Sequence, residues 1–128
     1  SRALQQRCRR LRHWLQAAGP QLEQLAEEDR LQLHLDLEPD LPALILQLNR
    51  SVQDTWLRRW RDTEDTLFHP RFPLSGKTLM EVLAIPAGPV VGTLLAHLRQ
   101  EAAFGRIRGQ EQALEEARRW WVLEREAL

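Results

Sequence analysis

The sequence predicts an all-α fold: a single multi-helix bundle of about seven helices, the last three forming a C-terminal three-helix sub-bundle. Three observations predict it. Apolar residues recur at spacings of three and four along most of the 128 residues. Gly and Pro interrupt these runs at intervals that suit short turns between antiparallel helices. The one alternating stretch is built from leucine, a helix former, and no other segment offers it a partner strand.

Leu4, Cys8, Leu11, Leu15 and Ala18 mark one face of a first helix, which Gly19-Pro20 stops. Arg7, Arg9, Arg10 and Arg12 form its opposite, basic face, which reads either as a solvated face or as an RNA-facing strip. Pro20 suits the first turn of the next helix, with Leu22, Leu25 and Ala26 inward and Glu23, Glu27 and Glu28 outward. Leu31, Leu33, Leu35 and Leu37 then alternate with Gln32, His34, Asp36 and Glu38. The period alone suits a strand, but the absence of β-branched residues favours a helix ended by Glu38-Pro39.

A turn at Pro39-Asp40-Leu41-Pro42 precedes a short apolar helix of Ala43, Leu44, Ile45 and Leu48. Ser51, with Asp54 three residues on, suits the N-cap of the next, whose stripe is Val52, Trp56, Leu57 and Trp60. These tryptophans read as core rather than as a platform for bases. Phe68 to Pro73 holds two prolines and predicts a linker packed on the helix surface, dividing a helical body at 1–70 from tail helices at 71–128 within one compact domain. Ser75 caps a short helix with Leu79, Met80 and Leu83 inward. Gly88-Pro89 opens another, with Val90, Val91, Leu94, Leu95 and Leu98, which stops at Gly105. The last starts near Gln110, with Leu114, Ala117 and Trp121 inward and a Glu115–Arg119 pair outward. Adjacent Trp120 and Trp121 cannot both face one narrow stripe.

Composition narrows the chemistry. Eighteen basic and eighteen acidic residues cancel, so binding to a polyanion needs a local basic patch. Seventeen of the eighteen basic residues are Arg, which reads as a preference for bidentate phosphate contact or as the mark of a GC-rich coding sequence. The lone Cys8 forms no internal disulfide and suits a reducing cytoplasm. No apolar run reaches the roughly 18 residues of a membrane span, and no membrane role is expected. Ser1-Arg2 does not begin a signal peptide, and with no initiator Met the chain is expected to be a piece of something longer. About 68% of the surface of an unfolded chain this long can be buried on folding.

No catalytic set emerges. His13, His34, His69 and His97 are dispersed, with no second ligand at metal spacing, and read as exposed or singly bonded imidazoles. Ser75-Gly76-Lys77-Thr78 ends like a phosphate loop, but the upstream glycine is missing and Phe72 and its neighbours stand there. There is no Asp-x-Asp pair for two-metal nucleotidyl transfer.

The ordered set Leu74-Ser75-Gly76-Lys77-Thr78-Leu79-Met80, then Pro86-Ala87-Gly88-Pro89-Val90-Val91-Gly92, a helix, Gly105-Arg106-Ile107 and a terminal helix resembles the C-terminal tail of the class II tRNA nucleotidyltransferases, the bacterial CCA-adding and poly(A) polymerase family. The match covers roughly the last two fifths of the chain, and Thr78 stands where the family often has an acidic residue. The resemblance implies a non-catalytic tRNA-binding domain that holds the upper part of tRNA, while the N-terminal catalytic head of the same parent chain, with Mg and a nucleoside triphosphate, extends the 3′ end. No cofactor is expected in this piece. The residues expected to meet RNA are Lys77, Gly88, Gly92, Arg99, Arg106 and Arg108. Gly88 and Gly92 either let the backbone approach a phosphate, as in a helix-hairpin-helix clamp, or only permit the turn and close helix packing. The alternative is a helical protein-docking or dimerisation module, its partner a second copy or the rest of the parent chain, which five tryptophans and zero net charge favour.

Overall fold

The computed structural model describes residues 1–72 and 74–127. These form α1 (Arg2–Ala18), a 3-10 turn (Gly19–Gln24), α2 (Glu27–Leu37), a second 3-10 turn (Glu38–Asp40), α3 (Leu41–Ile45), α4 (Arg50–Arg61), α5 (Gly76–Leu83), α6 (Pro89–Ala103) and α7 (Gly109–Ala127). The fold is all-α, and its last three helices form a group of their own. The chain divides into two compact units, Ser1–Pro70 and Arg71–Leu128.

In the first unit α1 packs through Leu11, Trp14 and Leu15, and Trp14 is almost fully buried. Two expected inward residues, Leu4 and Cys8, are exposed. Arg7, expected on the outer face, lies on the helical wheel between Leu11 and Trp14 and is drawn inward by a carboxylate: its Nε donates to Asp40 Oδ1 at 2.9 Å. Two turns on, Trp14 Nε1 donates to Asp36 Oδ2 at 3.1 Å. The inward position expected for Ala18 lies outside the described side chains.

The expected helix from Pro20 is instead a 3-10 turn, and the α-helix restarts at Glu27. Ala26, expected inward, becomes its exposed N-cap with extended backbone, and Glu27, Glu28 and Asp29 fall in the first turn, where the helix dipole favours them. The alternating stretch is helical. At 100° per residue, buried Leu31, Leu33, His34 and Leu37 span an arc of about 160°, and Leu35 is left outside it.

In α3 Leu41, Leu44 and Ile45 are fully buried. The cap of α4 is Asn49 rather than Ser51, and it makes no side-chain cap bond. Gln53 ties the helix back instead, its Nε2 donating to the carbonyls of Leu46 and Leu48 at 2.9 and 3.1 Å. Trp56 is core, and Trp60 Nε1 donates to the Glu38 carbonyl at 3.0 Å. The expected surface linker is half wrong. Phe68 is fully buried, because Asp65 Oδ1 accepts from the Leu67 and Phe68 amides and turns the chain inward there. Pro73 lies outside the described residues.

In the second unit Ser75 caps α5, its Oγ accepting from the Thr78 amide at 3.2 Å. Leu79, Leu94, Leu98, Ala113 and Ala117 centre a core against which Met80, Leu83, Leu95, Trp120 and Trp121 pack. α6 ends in a Schellman-type cap: Gly105 has φ +75°, and Arg106 N donates to the Glu101 carbonyl at 2.9 Å. α7 then runs back along α6, so that His97 Nε2 meets Glu116 Oε1 at 2.9 Å. Trp120 and Trp121 are both half-buried, because α7 packs on α5 as well as α6 and its buried face is correspondingly wide. The exposed pair joins Arg119 to Glu116, at i,i+3, rather than to Glu115.

Candidate nucleic-acid interface

The bend from Ala84 to Gly88 launches α6. Ala84 ends α5 in the left-handed region at φ +55°, and Gly88 has φ +148°, which a side chain rarely tolerates. Pro89 occupies the first helical position, and Gly88 offers no side chain to cap the helix. A Cβ built at Gly88 or at Gly92 meets nothing within 4 Å. Neither glycine is required by close packing. No side chain caps the first turn of α6, in which Gly88, Pro89 and Gly92 are exposed, Val91 is buried and the Val91 amide is bonded to the Gly88 carbonyl at 3.2 Å.

The cations expected around this turn are spread along the unit. Lys77 is exposed in the first turn of α5, next to Gly76, whose added Cβ would come within 3.3 Å of Val91 and Leu95. It therefore stands beside the first and second turns of α6. Gly92 lies on that same stretch, and Arg99 is one turn further along, its guanidinium 4.7 Å from the Phe72 ring centre. Arg106 and Arg108 follow the far end of α6, about 20 Å from Gly88 along the helix axis. Arg106 Nε is bonded to Glu101 Oε2 at 2.8 Å, and it shares a shallow polar pocket with Glu115, Glu116 and Arg119. That acidic company works against a phosphate. Glu116 stays charged even in acid: the hydrogen bond from Arg119, with His97 adding to it, lowers its pKa to about 2. Arg108 is exposed, with its amide bonded to Gln112 Oε1 at 2.7 Å.

The first unit holds a denser basic surface. From Ser1 to Leu22 the chain has five arginines and no acidic residue. Arg7 is consumed by Asp40, which raises its pKa further by hydrogen bonding and by its charge. Arg2, Arg9, Arg10 and Arg12 are exposed and have no partner among the described residues. Arg2, Arg9 and Arg12 fall within about 80° of one another on the helical wheel and span about 15 Å of α1.

Reading the histidines as exposed or singly bonded misses how two of them are built in. His69 Nδ1 lies 3.0 Å from Glu38 Oε1, and Nε2 meets the Trp60 carbonyl. Both ring nitrogens face acceptors, which favours the imidazolium, and the bond to Trp60 leads in raising the pKa. His34 is fully buried between Trp56 and Phe68, whose ring centres lie 5.7 and 4.4 Å away. Arg30 Nε donates to His34 Nε2 at 2.9 Å, so the imidazole proton sits on Nδ1, which has no partner. Burial first, then the charges of Arg30 and Arg59, lower the His34 pKa to about 3. The Arg30 guanidinium lies 4.2 Å from the Trp56 ring centre, and burial together with Arg59 lowers its pKa to about 10. The signal in the sequence is the four-residue spacing of Arg30 and His34 inside an apolar helix.

Among the described residues, no group of three or more His, Cys, Asp or Glu side chains could hold a metal ion, and no helix is long and apolar enough to cross a membrane. No family model, no curated protein and no solved structure matches the chain, so the likeness to the nucleotidyltransferase tail rests on the residues quoted for it.

Proposed function

We propose that the chain is a non-catalytic RNA-holding module, the C-terminal tRNA-binding part of a cytoplasmic CCA-adding tRNA nucleotidyltransferase or poly(A) polymerase. In this reading nucleotide addition takes place on a head domain of the same parent chain. The observation that supports it best is the basic helix: four exposed guanidiniums on α1 with no partner among the described residues and no acidic residue before Glu23. Such a strip gains affinity for a phosphate backbone by releasing the counterions condensed on it. The uncapped first turn of α6, with Lys77 on the neighbouring helix, adds a second place where a phosphate fits.

The test is tRNA binding by fluorescence anisotropy across a salt series. The logarithm of affinity should fall linearly with the logarithm of salt, and each arginine removed from α1 should flatten that slope by roughly 0.7 to 0.9. Arg9→Gln with Arg12→Gln reports on α1, and Lys77→Ala on the second unit. Binding that ignores salt and both sets of substitutions would sink the proposal. A mass that rises with protein concentration in light scattering, without RNA, would favour the docking module instead.

A further inference from the structure

Arg30 is a half-buried cation with no counter-ion in contact. The carboxylate that could serve it, Asp65, is fully engaged elsewhere: Oδ2 accepts from Arg59 Nε at 2.7 Å, while Oδ1 accepts from Arg59 Nη2 and from the Leu67 and Phe68 amides. Glu23 is turned to the Trp56 indole, accepting from Nε1 at 3.2 Å, and makes no ion pair with Arg30. The charge Arg30 feels most strongly is another cation, Arg59 on α4. His69 and His34 are the other titrating groups near this cluster, and neither is an anion. A desolvated positive charge left in this state is costly unless something supplies the missing partner.

The guanidinium is also held from two sides. Its face lies over Trp56, its Nε is fixed by His34, and His34 is locked in turn between Trp56 and Phe68. Among the described residues its two Nη nitrogens have no partner, and neither is fully buried, so the outer fork of the side chain reaches solvent. Arginine forks of this kind suit oxyanions by two parallel hydrogen bonds. The second guanidinium, 4.6 Å from the Phe68 ring centre, is paired with Asp65, so it is the charge of Arg30 that attracts the anion, a doubly charged phosphate more than a singly charged carboxylate.

We infer that Arg30, held on Trp56 and by His34, binds a phosphate group through its Nη fork. The phosphate belongs either to a free phosphate ester or to a nucleic-acid backbone. The inference does not rest on the tRNA reading, because it concerns a different cluster and a different probe.

The test is an NMR titration of the whole chain with inorganic phosphate, following the Arg30 Nε–H and the Trp56 indole N–H, and separately with a short single-stranded RNA. Saturable movement of both signals with phosphate is the expected result, with acetate at least about tenfold weaker. Movement with RNA as well assigns the site to a backbone phosphate; movement with phosphate alone assigns it to a free ester. R30K keeps the charge but loses both the fork and the bond to His34, and should weaken phosphate by more than about tenfold. E23Q leaves an acceptor for the Trp56 indole while removing the nearest unpaired carboxylate, and should tighten phosphate binding severalfold. Signals of Arg30 that stay still to saturating phosphate, or an E23Q protein that binds no better than the parent, would overturn the inference.

Discussion

Burial between Trp56 and Phe68 keeps the His34 imidazole neutral, its pKa lowered to about 3. In the unfolded chain the same group titrates near 6.5. Between these values the folded state binds fewer protons than the unfolded one, so stability is present above about 6.5 and is lost as pH falls towards 3. The loss is at most about 1.4 kcal/mol per pH unit. His69 has the opposite sign: its raised pKa adds stability below 6.5 that disappears as pH rises through the folded value. Urea unfolding should therefore show a steady fall in stability from about pH 6.5 to about 5.5, above the range where the carboxylates begin to protonate. His34→Phe should flatten that fall. Of this, only the Arg30–His34 spacing was legible in the sequence, because burial and partners are properties of the fold.

Three backbone positions give sharper expectations at the same scale. Ala84 sits at φ +55°, where an L residue is strained, and Ala84→Gly should stabilise the protein by about 1 kcal/mol. Gly88→Ala should cost about 1 to 3 kcal/mol through its φ of +148°, although the added Cβ meets nothing. Gly92→Ala, in open space on α6, should raise stability by roughly 0.5 to 1 kcal/mol. Melting temperatures order the three. A Gly92→Ala protein that melts higher yet binds tRNA less well would support phosphate approach, the reading that remains once the open space at Gly92 excludes close packing.

Elements were more legible than residues. The leucine-rich stretch folds as a helix because one arc of α2 is buried, and alternation over so few residues coincides with that arc. The Ser75 cap, the Gly88-Pro89 start and the Gly105 stop were all visible, since each is local chemistry. Some failures needed partners from elsewhere in the chain, as where Arg7 turns inward to Asp40 and where Trp120 and Trp121 share a wide face; others were local, namely the 3-10 turn after Ala18, the cap at Asn49 and the Asp65 turn that buries Phe68. The attachment of α1 can be tested as an element. Trp14 is 7% exposed and supplies its main apolar contact, so Trp14→Ala should cost about 3 to 5 kcal/mol in urea unfolding.

At the scale of the molecule, zero net charge conceals an uneven distribution. Five arginines stand before the first acid, while Glu23 to Asp65 holds eleven acidic and five basic residues. Composition alone argues against a polyanion partner; position along the chain argues for one. The uncapped start of α6 and the strip on α1 belong to different compact units, so of the residues the family likeness selects, only those between Lys77 and Arg99 gather on one part of the fold.

The two ties of α1, Arg7 to Asp40 and Trp14 to Asp36, stand two turns apart on one side of the helix. A rod fastened at two points has already surrendered its conformational freedom before any ligand arrives, unlike a basic arm that orders itself on contact. Calorimetry of RNA binding should accordingly give a heat-capacity change far smaller than that of coupled folding, which buries at least about 1,000 Å².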